Sequence, residues 1–217
     1  MELRVAFGIN SPLINKSITF LGWSDYLAVS SSKNLVTQSN KYIDKASNIK
    51  DIISSQIGDK TSKLTIIYSG PFSRFHKIET SLALRSLYDL YETLESINLN
   101  FPKLQINLSV IGSVEICMVP ISDHYRSLKK IEFELFCVLA TRKINYLSMS
   151  YFAVPTMRPN RLVGQIIKVD YNTVAKRFTD SLNIGHSGVG VYLDSRYLIF
   201  NMVIKFMINK NLQLFKW

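Results

Sequence analysis

The chain of 217 residues is poor in several residue types. It has two cysteines, Cys117 and Cys137, which excludes a disulfide scaffold and a four-cysteine zinc site. Nine glycines and six prolines are too few for a collagen-like or low-complexity chain. No apolar run approaches the ~18 residues of a membrane span. The start, Met1–Phe7, reads as a short strand and not as the basic and apolar regions of a signal peptide. The expected address is therefore the cytosol. What the chain does have is apolar content: 47% hydrophobic and 19% charged residues exclude a disordered chain and supply a full core. No linker, repeat or composition break interrupts residues 1–217, so one domain is expected.

The charge is one-sided, +10 from 26 basic and 16 acidic residues, but it forms no block of five like charges. Such an excess suits an anionic partner, which a phosphorylated cofactor, an acidic substrate, a nucleic acid or a membrane surface would each satisfy.

Short apolar runs alternate with helical spacings. Strands are expected at Leu3–Phe7, Tyr26–Ser30, Lys41–Ile43, Leu64–Tyr68, Leu104–Ile111, Ile144–Phe152 and Val189–Tyr192. Helices are expected at Asn15–Trp23, Ile49–Ile57, Thr80–Ile97, Asp123–Thr141, Val169–Leu182 and Arg196–Asn209. The near-continuous run Leu64-Thr-Ile-Ile-Tyr68 reads as a strand buried on both faces. Alternation of this kind implies right-handed crossovers and an α/β fold: a Rossmann-like, doubly wound parallel sheet of about seven strands in three α/β/α layers. Ligands of such folds sit beyond the carboxyl ends of the strands.

Those ends carry the candidate site. Gly8 follows the first strand, where a phosphate loop or an ordinary turn would both use it, and Ser11 and Asn15 offer polar contacts to a pyrophosphate. Lys33, in a Ser-rich loop after the second strand, suits a 2′-phosphate and leans towards NADP(H) over NAD(H). Asp44 follows the third strand and has the carboxylate to accept from an adenine amino group. Gly70 follows the fourth and lets backbone approach a ribose. Ser113 follows the fifth. Tyr125 and Lys129 stand four apart on the next helix and so share a face. An ammonium beside a phenol favours the phenolate, and a phenol so tuned moves protons at neutral pH. A Tyr and a Lys four apart is a weak pattern alone; it gains weight from its place, after the fifth strand with a serine at that strand's end.

This order of features resembles the short-chain dehydrogenase/reductase family, over nearly the whole chain from Arg4 to about Tyr192. Gly8 matches the first glycine of the family's cofactor turn, and Asp44 its adenine-contacting acid. Ile67-Tyr-Ser-Gly70 stands where the family has Asn-Asn-Ala-Gly. Ser113, Tyr125 and Lys129 match its catalytic serine and Tyr-x-x-x-Lys pair. Val154 and Thr156 match a nicotinamide-contacting residue and a threonine near the cofactor. Pro12 and Ile14 stand where further turn glycines are expected, Tyr151-Phe152 replaces a Pro-Gly pair, and the family's supporting asparagine falls near Arg85 and Ser86. The resemblance implies an NADP(H)-dependent oxidoreductase acting on a small carbonyl or alcohol substrate, with Tyr125 as acid and base, Lys129 also holding the cofactor, a small substrate-side segment at 160–192, and a homodimer or homotetramer. The departures motivate an alternative, a non-catalytic relative serving as a binding or assembly subunit.

The remaining features are read plainly. His76, His124 and His186 lack metal-ligand spacing, so no metal is expected. Cys117 and Cys137 read as small buried apolar residues. Residues 195–217 read as a C-terminal helix and tail that packs on the sheet or a partner subunit in preference to a membrane. No nucleic-acid motif is present.

Overall fold

The computed structural model describes residues 1–8, 12–30, 41–44, 49–69, 77–113, 123–151, 171–184 and 189–193. In chain order the described elements are β1 (Glu2–Phe7), α1 (Pro12–Phe20), β2 (Leu27–Ser30), β3 (Lys41–Asp44), α2 (Ile49–Gln56), β4 (Lys63–Tyr68), α3 (Lys77–Asn100), β5 (Gln105–Ser113), α4 (Asp123–Ala140), β6 (Asn145–Tyr151), α5 (Tyr171–Ile184) and β7 (Val189–Leu193). The expected helix at Arg196–Asn209 lies outside the described residues.

Seven strands form one sheet in the order β3-β2-β1-β4-β5-β6-β7, and every pairing is parallel. The doubly wound expectation holds. From β1 the chain winds outwards through β2 and β3, then returns to the other side of β1 for β4. The switch point is therefore between β1 and β4, where Phe7 pairs with Tyr68.

Two cores flank the sheet. Along each strand alternate residues serve opposite faces. Val5, Leu64, Ile66, Leu108, Val110 and Tyr146 meet α2, α3 and α4 through Ile53, Leu90, Leu94, Phe136 and Leu139. Ala6, Ala28, Ile67, Ile111 and Leu147 meet α1 and α5 through Ile14, Ile18, Val174 and Phe178. In α3 the buried positions Leu87, Leu90, Leu94 and Ile97 recur at helical spacing, which is why so long a segment lies flat on the sheet. Lys16 donates to Asn172 at 2.6 Å and ties α1 to α5.

Some boundaries differ from expectation for physical reasons. Helix α1 stops at Phe20, short of Trp23, because Gly22 takes a φ of 64°. The Gly22 amide then donates to Thr19 and the Trp23 amide to Ile18, which closes the last turn. Strand β5 runs on to Ser113, so the candidate serine ends a strand instead of following one. Its buried character is one-sided at the amino end: Gln105 is exposed and Asn107 half-buried, while Ile106 and Leu108 are sealed against α3 and α4. Cys137 is half-buried against the core, not enclosed, and burial with the Glu134 charge raises its thiol pKa. Cys117 lies outside the described residues. No described helix is long and apolar enough to cross a membrane.

Candidate active site at the carboxyl edge of the sheet

Gly8 follows β1 at the switch point with a φ of 75°, the left-handed region that side chains resist. A Cβ there would stand 2.4 Å from the Ser69 carbonyl oxygen. The Ser69 amide in turn donates to the Phe7 carbonyl at 3.3 Å. The ends of β1 and β4 thus approach as closely as backbones can, and only glycine permits it. The Phe7 and Tyr68 rings, which end the two strands, pack with centroids 6.0 Å apart in the core.

Helix α1 starts just past Gly8, and its first turn carries no acidic residue. Its amino terminus therefore presents unopposed amide dipoles at the carboxyl edge, as an anion requires. Pro12 is the first helical residue, a position that suits proline but gives up one amide donor. Ile14, where a glycine would let the helix press on the strand, is wholly buried in the core between α1 and the sheet. A packed side chain thus takes the place of close backbone contact. Asn15 is exposed, one position further on.

The other candidates sort by strand. Asp44 is the last residue of β3 and Ser113 the last of β5, paired in register with Ser30 and Tyr151. Tyr125 lies in the first turn of α4 and Lys129 in the second. For Asp44, Ser113, Tyr125 and Lys129 the backbone alone is described. Ser11, Lys33, Gly70, Val154 and Thr156 lie outside the described residues. Gly8, Asp44 and Ser113 share the carboxyl edge of one sheet, and Asn15, Tyr125 and Lys129 lie in the first turns of the helices that leave it. Gly8 and Ser113 are two strands apart and Asp44 and Ser113 four, roughly 10 Å and 19 Å at normal strand spacing. That breadth suits an extended ligand lying across the switch point.

Two residues were not picked out by the motif reading. Tyr68 ends β4 with its ring edge-on to Phe136 at 5.6 Å, and its buried hydroxyl has no hydrogen-bond partner. Burial pushes that phenol well above its ordinary pKa, and the Glu132 charge adds to the shift. Glu132 itself is 4% exposed, in the middle of α4. Sequence held the signal: Tyr125, Lys129, Glu132 and Phe136 are spaced four, three and four, a single helical stripe. Arg85, near the position of the family's supporting asparagine, is exposed on α3.

Solved structures match this architecture over most of the chain. A short-chain dehydrogenase from Burkholderia cenocepacia, solved with NADP, superposes with a TM-score of 0.67, covering 97% of each chain at 10% identity. The shared architecture is a Rossmann-like α/β fold. MoeE5, solved with UDP-glucuronic acid and NAD, superposes with a TM-score of 0.66 over 88% of this chain and 75% of its own, at 15% identity. A UDP-N-acetylglucosamine 4-epimerase from Bacillus cereus gives 0.61 over 94% and 84%, at 11% identity. No protein-family model and no curated protein matches the sequence. At these identities the likeness is one of fold, and the short-chain frame is shared by dehydrogenases and sugar-nucleotide epimerases alike.

The residues present fit a nicotinamide dinucleotide in part. The Gly8 turn and the acid-free start of α1 suit its pyrophosphate; Pro12 and Ile14 reduce the backbone contact available to it.

Proposed function

We propose that the carboxyl edge of the sheet binds a nicotinamide dinucleotide, NADP(H) in preference to NAD(H), and that the chain is a cytosolic oxidoreductase interconverting a small carbonyl and its alcohol. The observation that carries this reading is the shared edge: Gly8 at the switch point, Ser113 ending β5, and Tyr125 and Lys129 in the first two turns of the helix that follows. The solved short-chain dehydrogenases and epimerases with the same fold support it, one holding NADP and one NAD. Lys33 and its serine neighbours are the reason for favouring the 2′-phosphate.

Each residue then has one task. Gly8, Ser11 and Asn15 receive the pyrophosphate, Asp44 the adenine and Gly70 a ribose, while Val154 and Thr156 border the nicotinamide. The bound dinucleotide supplies or accepts the hydride. Tyr125 gives its proton to the carbonyl oxygen in reduction and takes it back in oxidation. Lys129 stabilises the phenolate and holds the nicotinamide ribose. Ser113 donates a hydrogen bond to the same oxygen as charge develops there.

Calorimetric titration with NADPH and NADH tests the first half. Saturable NADPH binding that weakens in Lys33→Glu is expected; no binding of either nucleotide at millimolar concentration overturns the proposal. Tyr125→Phe tests the second half. Turnover on a carbonyl panel should fall about 100-fold or more while folding stability is kept, and unchanged turnover rules out Tyr125 as the acid.

A second reading draws on Ile14, which fills the place of a turn glycine. In it the chain keeps the fold, binds no nucleotide and serves as an assembly subunit. Tyr88 on α3 and Val138 on α4, 47% and 44% exposed, offer apolar contacts for a second copy or a relative. Co-purification of a partner with no nucleotide binding favours this reading.

A further inference from the structure

Among the described residues Glu132 is the one charged side chain in the interior; the other buried polar residues are Ser17, Thr65, Thr93, Ser109 and Thr179. A carboxylate at such depth needs a cation or a hydrogen-bonding cage. Glu132 is engaged and not free. Among the described residues the titratable groups that neighbouring elements bring into this core are Tyr68 from β4, Tyr146 from β6 and Tyr91 from α3, all phenols. The Tyr68 hydroxyl is without a hydrogen-bond partner, so it does not cage the carboxylate. A phenol can donate a hydrogen bond to the carboxylate but carries no counter-charge at neutral pH.

The helix itself indicates where a counter-charge lies. Phe136 and Leu139 follow Glu132 by four and seven positions and are fully buried, so this stripe of α4 faces the sheet. Three positions before Glu132, towards the carboxyl edge, the same stripe passes through Lys129, and four before that through Tyr125. Side chains three apart on a helix are neighbours. The next lysine along shows the contrast. Lys130 pairs with Glu134 at 3.7 Å, both more than 60% exposed, on the solvent side where such a pair adds little.

We propose that Glu132 is the positioning residue for Lys129: its buried carboxylate, one turn further along the same face of α4, fixes the lysine ammonium beside Tyr125. The proposal rests on the reading of Tyr125 and Lys129 given above. It supplies from within α4 the support that the family draws from an asparagine on the preceding helix. Glu132 touches neither substrate nor cofactor; it acts through the lysine.

The test reads the lysine directly and needs no nucleotide. Lysines of the full chain are reductively methylated with a carbon-13 label and titrated by NMR, with Lys129→Arg assigning the resonance. Pairing with a carboxylate favours the charged amine, whereas desolvation without a partner disfavours it. In Glu132→Gln the Lys129 midpoint should therefore fall, by about one pH unit or more, while that of Lys130 stays. An unchanged Lys129 midpoint in a folded Glu132→Gln overturns the proposal. Should that variant fail to fold, Lys129→Met is compared with Lys129→Met/Glu132→Gln by chemical denaturation. The double variant should be the more stable, because it removes the charge that the single leaves uncompensated; a double no more stable than the single overturns the pairing. Absence of NADPH binding would sink the proposed function and leave the lysine titration untouched, so the two failures are distinguishable.

Discussion

The two edges of the sheet handle polar groups in opposite ways. At the amino edge polar groups answer one another. Glu2 accepts from Thr65 at 2.5 Å and from Arg4 at 3.0 Å, and lies 3.2 Å from Lys63. Asn145 donates to Asn107 at 2.8 Å across β5 and β6, and Arg4 lies over the Trp23 ring at 5.7 Å. These side chains line a groove of about 300 Å³ between the ends of α1 and α5. It is roomy, yet much of its wall is already paired. At the carboxyl edge, space is tight at Gly8, the first turn of α1 has no acid to occupy its amides, and the Tyr68 hydroxyl has no partner. Polar groups that satisfy each other hold a fold together; those left over within a ligand's reach, as at the start of α1, are what it can use. The contrast favours the carboxyl edge as the site despite the groove opposite.

The largest expected effect is at Gly8. An alanine there meets both the left-handed backbone cost and a clash with the Ser69 carbonyl, together roughly 3 kcal/mol. Gly22 is the control: its φ is similar, 64°, but nothing lies within 4 Å of a Cβ. Gly22→Ala should cost only about 1 kcal/mol. Urea denaturation of both variants measures the difference. Equal losses would mean that the β1–β4 approach is looser than described, and the crevice wider.

Much of the fold was legible because periodicity reports burial. The alternation of β-branched runs with helical spacings gave every described element its place, from Leu3 to Tyr192. Strand order was legible only through the doubly wound expectation, since nothing in β4 itself announces that it returns beside β1 and not beside β3. Ends were less legible than middles: α1 stops where Gly22 turns left-handed, a conformation with no counterpart in hydrophobic pattern. At the site, Gly8 was readable as a turn glycine, but its reason, the approach of Ser69 from 61 residues away, is a tertiary fact. Glu132 hid because a charge in a helix is normally read as solvent-facing. Only the burial of Phe136 and Leu139 shows which face is which.

Tyr68→Phe tests the idea of leftover polarity. If the hydroxyl has no partner, removing it relieves a desolvated donor, and stability should rise by about 1 kcal/mol. A loss of similar size would show that a bound water satisfies the group in solution, and this part of the contrast between the edges would disappear.

The smallest effect belongs to the amino edge and depends on pH. Burial acts to raise the Glu2 pKa, but hydrogen bonds from Thr65, Lys63 and Arg4, with the Lys63 charge, outweigh it and hold the carboxyl below its ordinary 4.5. A carboxyl with a lowered folded pKa binds protons more weakly in the folded chain than in the unfolded one. Its stabilisation is therefore complete above 4.5 and is lost as pH falls through the lower folded value. Glu2→Gln should cost about 0.5–1 kcal/mol at neutral pH, the range of a part-exposed ion pair. The variant should also lose part of the acid-side slope that the parent shows in denaturation midpoints. Parallel acid slopes would mean that Glu2 is as well solvated in the folded chain as in the unfolded one. The amino edge would then hold its polar groups no more firmly than water does, and mutual satisfaction would no longer separate the two edges.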